Sequence, residues 1–155
     1  MENKNNQKDR EMVITRLLNA PRELVFEVWT NPKHIAHWWG PNGFTNTIHE
    51  MDVKPGGIWR FMMHGPNGMD FPNRIVYNEV VKPERLVYTH SSEDPNDPNV
   101  FQTTVTFEQQ GNKTLLTMTS VFPTAEELTR VVKEYGALEG GNQTMNRLEE
   151  YLSKM

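Results

Sequence analysis

The sequence predicts an α+β fold: a curved antiparallel sheet of six to seven strands wrapped around a long C-terminal helix, with two short helices after the first strand. Three observations predict it. Strand-like segments are separated by short Gly-, Pro- and Asn-rich turns with no helix between them, the pattern of an antiparallel meander. An early pair of short, very apolar helical stretches forms a wedge rather than a crossover. From Thr124 onward the apolar period becomes helical.

Met12 to Leu18, rich in Val, Ile and Leu, reads as the first strand. In Ala20-Pro21-Arg22-Glu23-Leu24-Val25-Phe26-Glu27-Val28-Trp29-Thr30-Asn31-Pro32, the residues Leu24, Val25, Val28 and Trp29 recur at helical spacing. Pro21 suits a first turn, where its missing N–H costs nothing. Asn31-Pro32 ends that helix and starts a second over 32–38, closed by the aromatic plug Trp38-Trp39 and a Gly40-Pro41 stop. Strands follow over 44–53 and 58–63, separated by Lys54-Pro55-Gly56-Gly57, then over 69–81 after Gly65-Pro66-Asn67-Gly68. Lys82-Pro83-Glu84 leads into Arg85 to Ser91, and 92–99 is a loop rich in Pro, Asp and Asn. Segments 100–109 and 114–122 form a hairpin around Gln110-Gly111-Asn112-Lys113. Thr124-Ala125-Glu126-Glu127 reads as a capping box: Thr124 caps the Glu127 amide and Glu127 reaches back. Leu128, Val131, Val132 and Tyr135 line one helical face. After Gly136, a helix from about Leu138 to Lys154 places Met145, Leu148, Tyr151 and Leu152 on another.

A chain of 155 residues fits one domain over 11–155, with residues 1–10 expected to be a disordered tail. The net charge of −4 argues against a nucleic-acid partner, whose phosphates need a basic face. Zero cysteines exclude disulfides, thiolate metal sites and cysteine nucleophiles. Residues 1–10 lack an apolar h-region, and no apolar run approaches the ~18 residues of a membrane helix, so cytoplasmic residence without a membrane partner is expected. Nine methionines and an aromatic share of 10% make the interior bulky and adaptable, as a pocket accepting varied shapes requires.

The run 20–32, Trp38-Trp39-Gly40-Pro41, Pro55-Gly56-Gly57-Ile58-Trp59-Arg60-Phe61, Gly65-Pro66-Asn67-Gly68 and Pro83-Glu84-Arg85-Leu86-Val87-Tyr88 carry a resemblance. They look like the bacterial proteins similar to the C-terminal domain of the activator of heat-shock protein 90 ATPase. That group belongs to the START and birch-pollen-allergen-like (SRPBCC) superfamily, with its helix-grip fold. The resemblance runs from about Glu11 to the end. It implies a cavity between sheet and long helix, usually for an apolar small molecule, and brings no invariant catalytic set.

Two-residue alternation supplies candidate walls for such a cavity. Trp59, Phe61 and Met63 share a face of strand three. Phe71, Tyr77 and Glu79 lie on strand four, with Tyr77 and Glu79 expected to share a face. Tyr88 and His90 share a face of strand five; Phe101 and Thr103, with Val105 and Phe107, one of strand six; Met118 and Ser120 one of strand seven. Trp38, Trp39, Tyr135 and Met145 complete the candidate ligand-binding set. A bulge would reverse part of any strand set. Glu79 and His90, if enclosed, could exchange protons with a ligand; otherwise they face solvent or pair with a strand neighbour. His34 and His37 share a helical face, but a metal needs further ligands that neither His49 nor His64 is placed to supply, so no metal is expected. Gly140-Gly141 suits a close approach of sheet or ligand to the long helix, or a kink, because glycine costs ~1 kcal/mol inside a helix.

The expected function is binding of an apolar or aromatic small molecule, with no cofactor. The alternatives are an enzyme using Glu79 or His90 for proton transfer and a chaperone co-factor or protein-interaction module. Two copies could also pair through Ile58, Val76 and Val87 on the outer sheet face.

Overall fold

A computed structural model describes residues 7–92, 96 and 100–155, apart from the side chains of Gln7 and Tyr135. Its strands are β1 (Glu11–Leu18), β2 (Thr45–Met51), β3 (Ile58–His64), β4 (Asp70–Val81), β5 (Arg85–Ser91), β6 (Phe101–Gln110) and β7 (Lys113–Val121). Helices α1 (Arg22–Thr30) and α2 (Pro32–Ile35) follow β1, and α3 (Ala125–Tyr135) and α4 (Ala137–Ser153) end the chain. All seven strands form one antiparallel sheet in the order β1-β7-β6-β5-β4-β3-β2. The meander runs from β2 to β7, and β1 closes its far side against β7.

One side of this sheet meets the helices. Ile14 and Leu18 of β1, Leu116 of β7, Val105 and Phe107 of β6, Leu86 of β5, Ile75 of β4 and Trp59 and Phe61 of β3 are buried there. They meet Val25, Phe26, Val28 and Trp29 of α1 and Met145, Leu148 and Leu152 of α4 in one apolar cluster. Trp29 is its hub, meeting Trp38, Trp39 and Phe107 edge-on at ring-centroid distances of 4.9, 5.9 and 5.8 Å. Edge-to-face geometry sets the positive ring edge against the negative ring face, which adds to the area each ring buries. Arg16, pointing to the same side as Ile14 and Leu18, ties β1 to α4 through Asn146 (2.8 Å) and Glu149 (3.1 Å).

Three local differences from the sequence expectation have physical causes. Helix α2 stops at Ile35, and 36–38 continue as a turn. Its first amide is capped by the Asn31 side chain, and the Trp38 indole N–H is spent on the Val28 carbonyl (3.1 Å). Only half of the capping box forms: Thr124 accepts the Glu127 amide at 3.0 Å, while the Glu127 carboxylate pairs with Arg130. Of the expected tail, residues 1–6 lie outside the described residues. Gln7–Arg10 wind into a 3-10 turn, held where Arg10 donates to the Phe122 carbonyl at 2.9 Å. Of the expected loop 92–99, residues 93–95 and 97–99 also lie outside. Ile58, Val76 and Val87 lie half-buried on the outer sheet face.

Candidate functional site

The register aligns one row of inner-face residues across five strands: Met12, Ser120, Thr103, Tyr88 and Tyr77. The next inner row contains Ile75, His90 and Phe101. Where α3 passes into α4, the helices stand off these rows and leave a partly open pocket of about 270 Å³. Sheet residues Met12, Met63, Tyr88, His90, Phe101, Thr103, Met118 and Ser120 form its floor. Val131, Gly136, Ala137, Gly140, Gly141, Thr144 and Met145 form its roof, and Trp39, Gly40 and Pro41 part of its rim. None of the described lining side chains is an aspartate, glutamate, lysine or arginine.

Glycine makes the roof possible. A Cβ on Gly141 would fall 2.4 Å from Ile14 Cδ1, and one on Gly140 would fall 3.3 Å from Pro41 Cγ. The pair thus serves close approach; α4 runs through it unbroken, and the break comes at Gly136, whose left-handed φ of 61° ends α3. On the rim, Gly40 has a φ of +100°, and a Cβ there would meet Met63 Cε at 2.8 Å. Arg147 of α4 holds this rim. Its Nη1 donates to the carbonyls of Trp39, Gly40 and Pro41 at 3.2, 2.9 and 3.0 Å, and its Nη2 to that of His37 at 3.3 Å. The Asn42 amide donates to Gln143 Oε1 at 3.0 Å.

His90 is the pocket's one titratable imidazole among the described residues. Burial pushes its pKa down to about 4, so the ring is neutral at pH 7. Nε2 lies 2.8 Å from Asn73 Oδ1, while Asn73 Nδ2 donates to the Phe71 carbonyl. That fixes the amide orientation, so the imidazole proton is assigned to Nε2. Phe61 and Phe101 flank the ring, with centroids 6.2 and 4.9 Å away. Burial pushes the Tyr88 hydroxyl up, and its hydrogen-bond interaction with Thr103 opposes this. Thr103 Oγ1 and Ser120 Oγ are buried and 2.9 Å apart.

Trp39, Met63, Tyr88, His90, Phe101, Thr103, Met118 and Met145, all expected from sequence, meet in this pocket. Trp38, Trp59, Phe61 and Tyr77 do not line it; they are packed into the core beside it. Trp59 Nε1 and Tyr77 Oη are sealed there without a hydrogen-bond partner among the described residues. Phe71 shares the inner side with Met63, but at an end of the sheet where it is 40% exposed and leans on Phe44. The Tyr135 side chain lies outside the described residues. Glu79 is corrected outright. The register shifts between Tyr77 and Glu79, so Tyr77 opposes Tyr88 but Glu79 opposes Val87. Glu79 therefore points to the outer face, where it pairs with Arg85. Of the two proton-transfer candidates, His90 lines the pocket and Glu79 lies on the opposite face of the sheet.

His34 of α2 and His37 of the following turn gather around a tyrosine. His34 Nδ1 lies 2.6 Å from Tyr151 Oη, and the His37 ring stacks on Tyr151. Among the described residues, no group of three or more His, Asp or Glu side chains could hold a metal. Sequence reasoning missed the roof residues Val131, Ala137 and Thr144, because helical periodicity marks a buried face without saying where a sheet stands away from it.

The sequence model of the family described as Activator of Hsp90 ATPase homolog 1-like protein matches residues 19–153. No curated protein matches the chain. Solved structures with the same fold include a protein from Arthrobacter aurescens, with a TM-score of 0.88 and 22% identity over 97% of this chain and 90% of that one. A protein from Mycobacterium smegmatis superposes with a TM-score of 0.86 and 23% identity over 99% of this chain and 98% of its own. One from Staphylococcus epidermidis gives 0.80 and 25% identity over 99% and 93%. With the family model spanning all of the sheet except β1 and all the helices, this chain belongs to the Activator of Hsp90 ATPase homolog 1-like protein family.

Proposed function

We propose that this protein binds an apolar small molecule in the pocket between the sheet and α4. One observation carries the reading: an uncharged pocket of about 270 Å³, floored by methionines and aromatics, remains where sheet and helices separate. Ligand sites are concave and mostly apolar, with a few placed polar groups, and this volume lies just below the ~300 Å³ lower end for drug-sized ligands. It therefore suits a compact molecule of about two to three rings. Methionine side chains can re-pack around differing outlines.

The test is a titration with N-phenyl-1-naphthylamine, an uncharged dye that brightens in apolar surroundings. Saturable brightening is expected, and Met118→Glu should weaken binding by at least about tenfold, because it places a carboxylate in the pocket. Equal binding by both folded proteins would remove the ligand from this pocket.

A further inference from the structure

The pocket floor carries few polar side chains: Tyr88, His90, Thr103 and Ser120. His90 spends Nε2 on Asn73, leaving Nδ1 as a bare lone pair. Nδ1 has no hydrogen-bond partner among the described residues, and His90 lines the pocket. Two residues along the same strand face stands Tyr88, beside Thr103 and Ser120. Thr103 shares one hydrogen bond with Ser120 and interacts with Tyr88, so the three hydroxyls keep one of their three protons available to donate. One acceptor and a row of hydroxyls thus lie in an otherwise apolar wall. Nothing among the described lining residues would neutralise an ionised ligand, and Arg147 is already committed to four backbone carbonyls.

We infer that the pocket selects an uncharged apolar compound bearing a hydroxyl group, which donates its proton in a hydrogen bond to His90 Nδ1 and accepts one from the Tyr88–Thr103–Ser120 row. Compounds of the same outline carrying a carboxylate are rejected. A hydroxyl satisfies both an acceptor and a donor that a hydrocarbon would leave unpaired on losing water. A carboxylate has no proton for Nδ1, and its charge would be buried without a partner. The inference rests on the pocket reading above and adds the ligand's chemical class to it.

Displacement of N-phenyl-1-naphthylamine by naphthalene, 2-naphthol and 2-naphthoate at pH 7 tests it, since the three share one ring system. The expected order is 2-naphthol about tenfold tighter than naphthalene, with 2-naphthoate weakest. His90→Phe should bring the ratio of 2-naphthol to naphthalene affinity from about ten down to about one. His90→Asn, which restores a side-chain acceptor, should recover part of the preference. Equal affinity for naphthalene and 2-naphthol in the unaltered protein, a preference for 2-naphthoate, or a preference that survives in His90→Phe would each overturn the inference and leave the pocket reading standing. Failure of the dye and all three probes would overturn both.

Discussion

His90 has a pKa of about 4 in the fold, against an ordinary value of 6.5, because its surroundings are apolar. The groups around it are Asn73, Phe61, Phe101 and the paired Ile75, none of them charged. Between those two pKa values the unfolded chain binds a proton that the folded chain refuses. This contribution is therefore complete above about pH 6.5 and is lost as pH falls toward 4. Urea unfolding at pH 7 and pH 4.5 should show the unaltered protein losing about 2 kcal/mol more than His90→Phe. An identical loss in both would place the acid sensitivity elsewhere. Gly141 makes a steric claim at the same scale. Gly141→Leu should destabilise by about 1–3 kcal/mol, because Ile14 Cδ1 occupies the space a Cβ needs. Adding Ile14→Ala should recover part of that loss, and a purely additive double mutant would contradict the contact. Glu79 shows where residue-level reading stops. Alternation placed it beside Tyr77, but a bulge is a backbone event that side-chain periodicity does not encode, so one residue of slip moved it to the other face.

Elements were the most legible scale, because their causes are local. The proline and glycine turns bound every strand within a residue or two of the expected ends, and the Leu-Val-Phe-Glu-Val-Trp run is helical for the reason its spacing gives. The parts not legible are those set by distant partners. Glu127 left the capping box for Arg130, three residues along the same helix. The rim around Gly40 depends on Arg147, more than a hundred residues away. Burial lowers the Arg147 pKa, with the Glu150 charge opposing, and its hydrogen bonds go to carbonyls rather than to a carboxylate. It therefore acts as a strap between α4 and the rim. Arg147→Met should speed amide hydrogen exchange at Asn42 and Phe44, while amides of the β6–β7 ladder keep their protection. Unchanged exchange at the rim would show that Gln143 and local packing hold it alone.

At the scale of the molecule, the sheet, the helix wedge and the long terminal helix follow from a single requirement. None of these elements can bury its apolar face alone, and the curved sheet covers α1 and α4 together. The pocket lies where that covering is incomplete, near the α3–α4 junction and its glycines. Its existence depends on the fit of a helix against a curved surface, which periodicity reports only as two apolar faces. Its lining was nonetheless half legible, because the bulky residues of β5, β6 and β7 alternate without a bulge.

Methionines give the most direct test of the central claim. Four of them, Met12, Met63, Met118 and Met145, line the pocket, whereas Met69 and Met155 are exposed elsewhere. The measurement is the carbon–proton spectrum of 13C-methyl-methionine-labelled protein, titrated with N-phenyl-1-naphthylamine. Shifts at Met12, Met63, Met118 and Met145 that saturate together, with Met69 and Met155 unmoved, are the predicted result. Shifts confined to Met69 and Met155, or none at saturating dye, would contradict a ligand pocket between the sheet and α4.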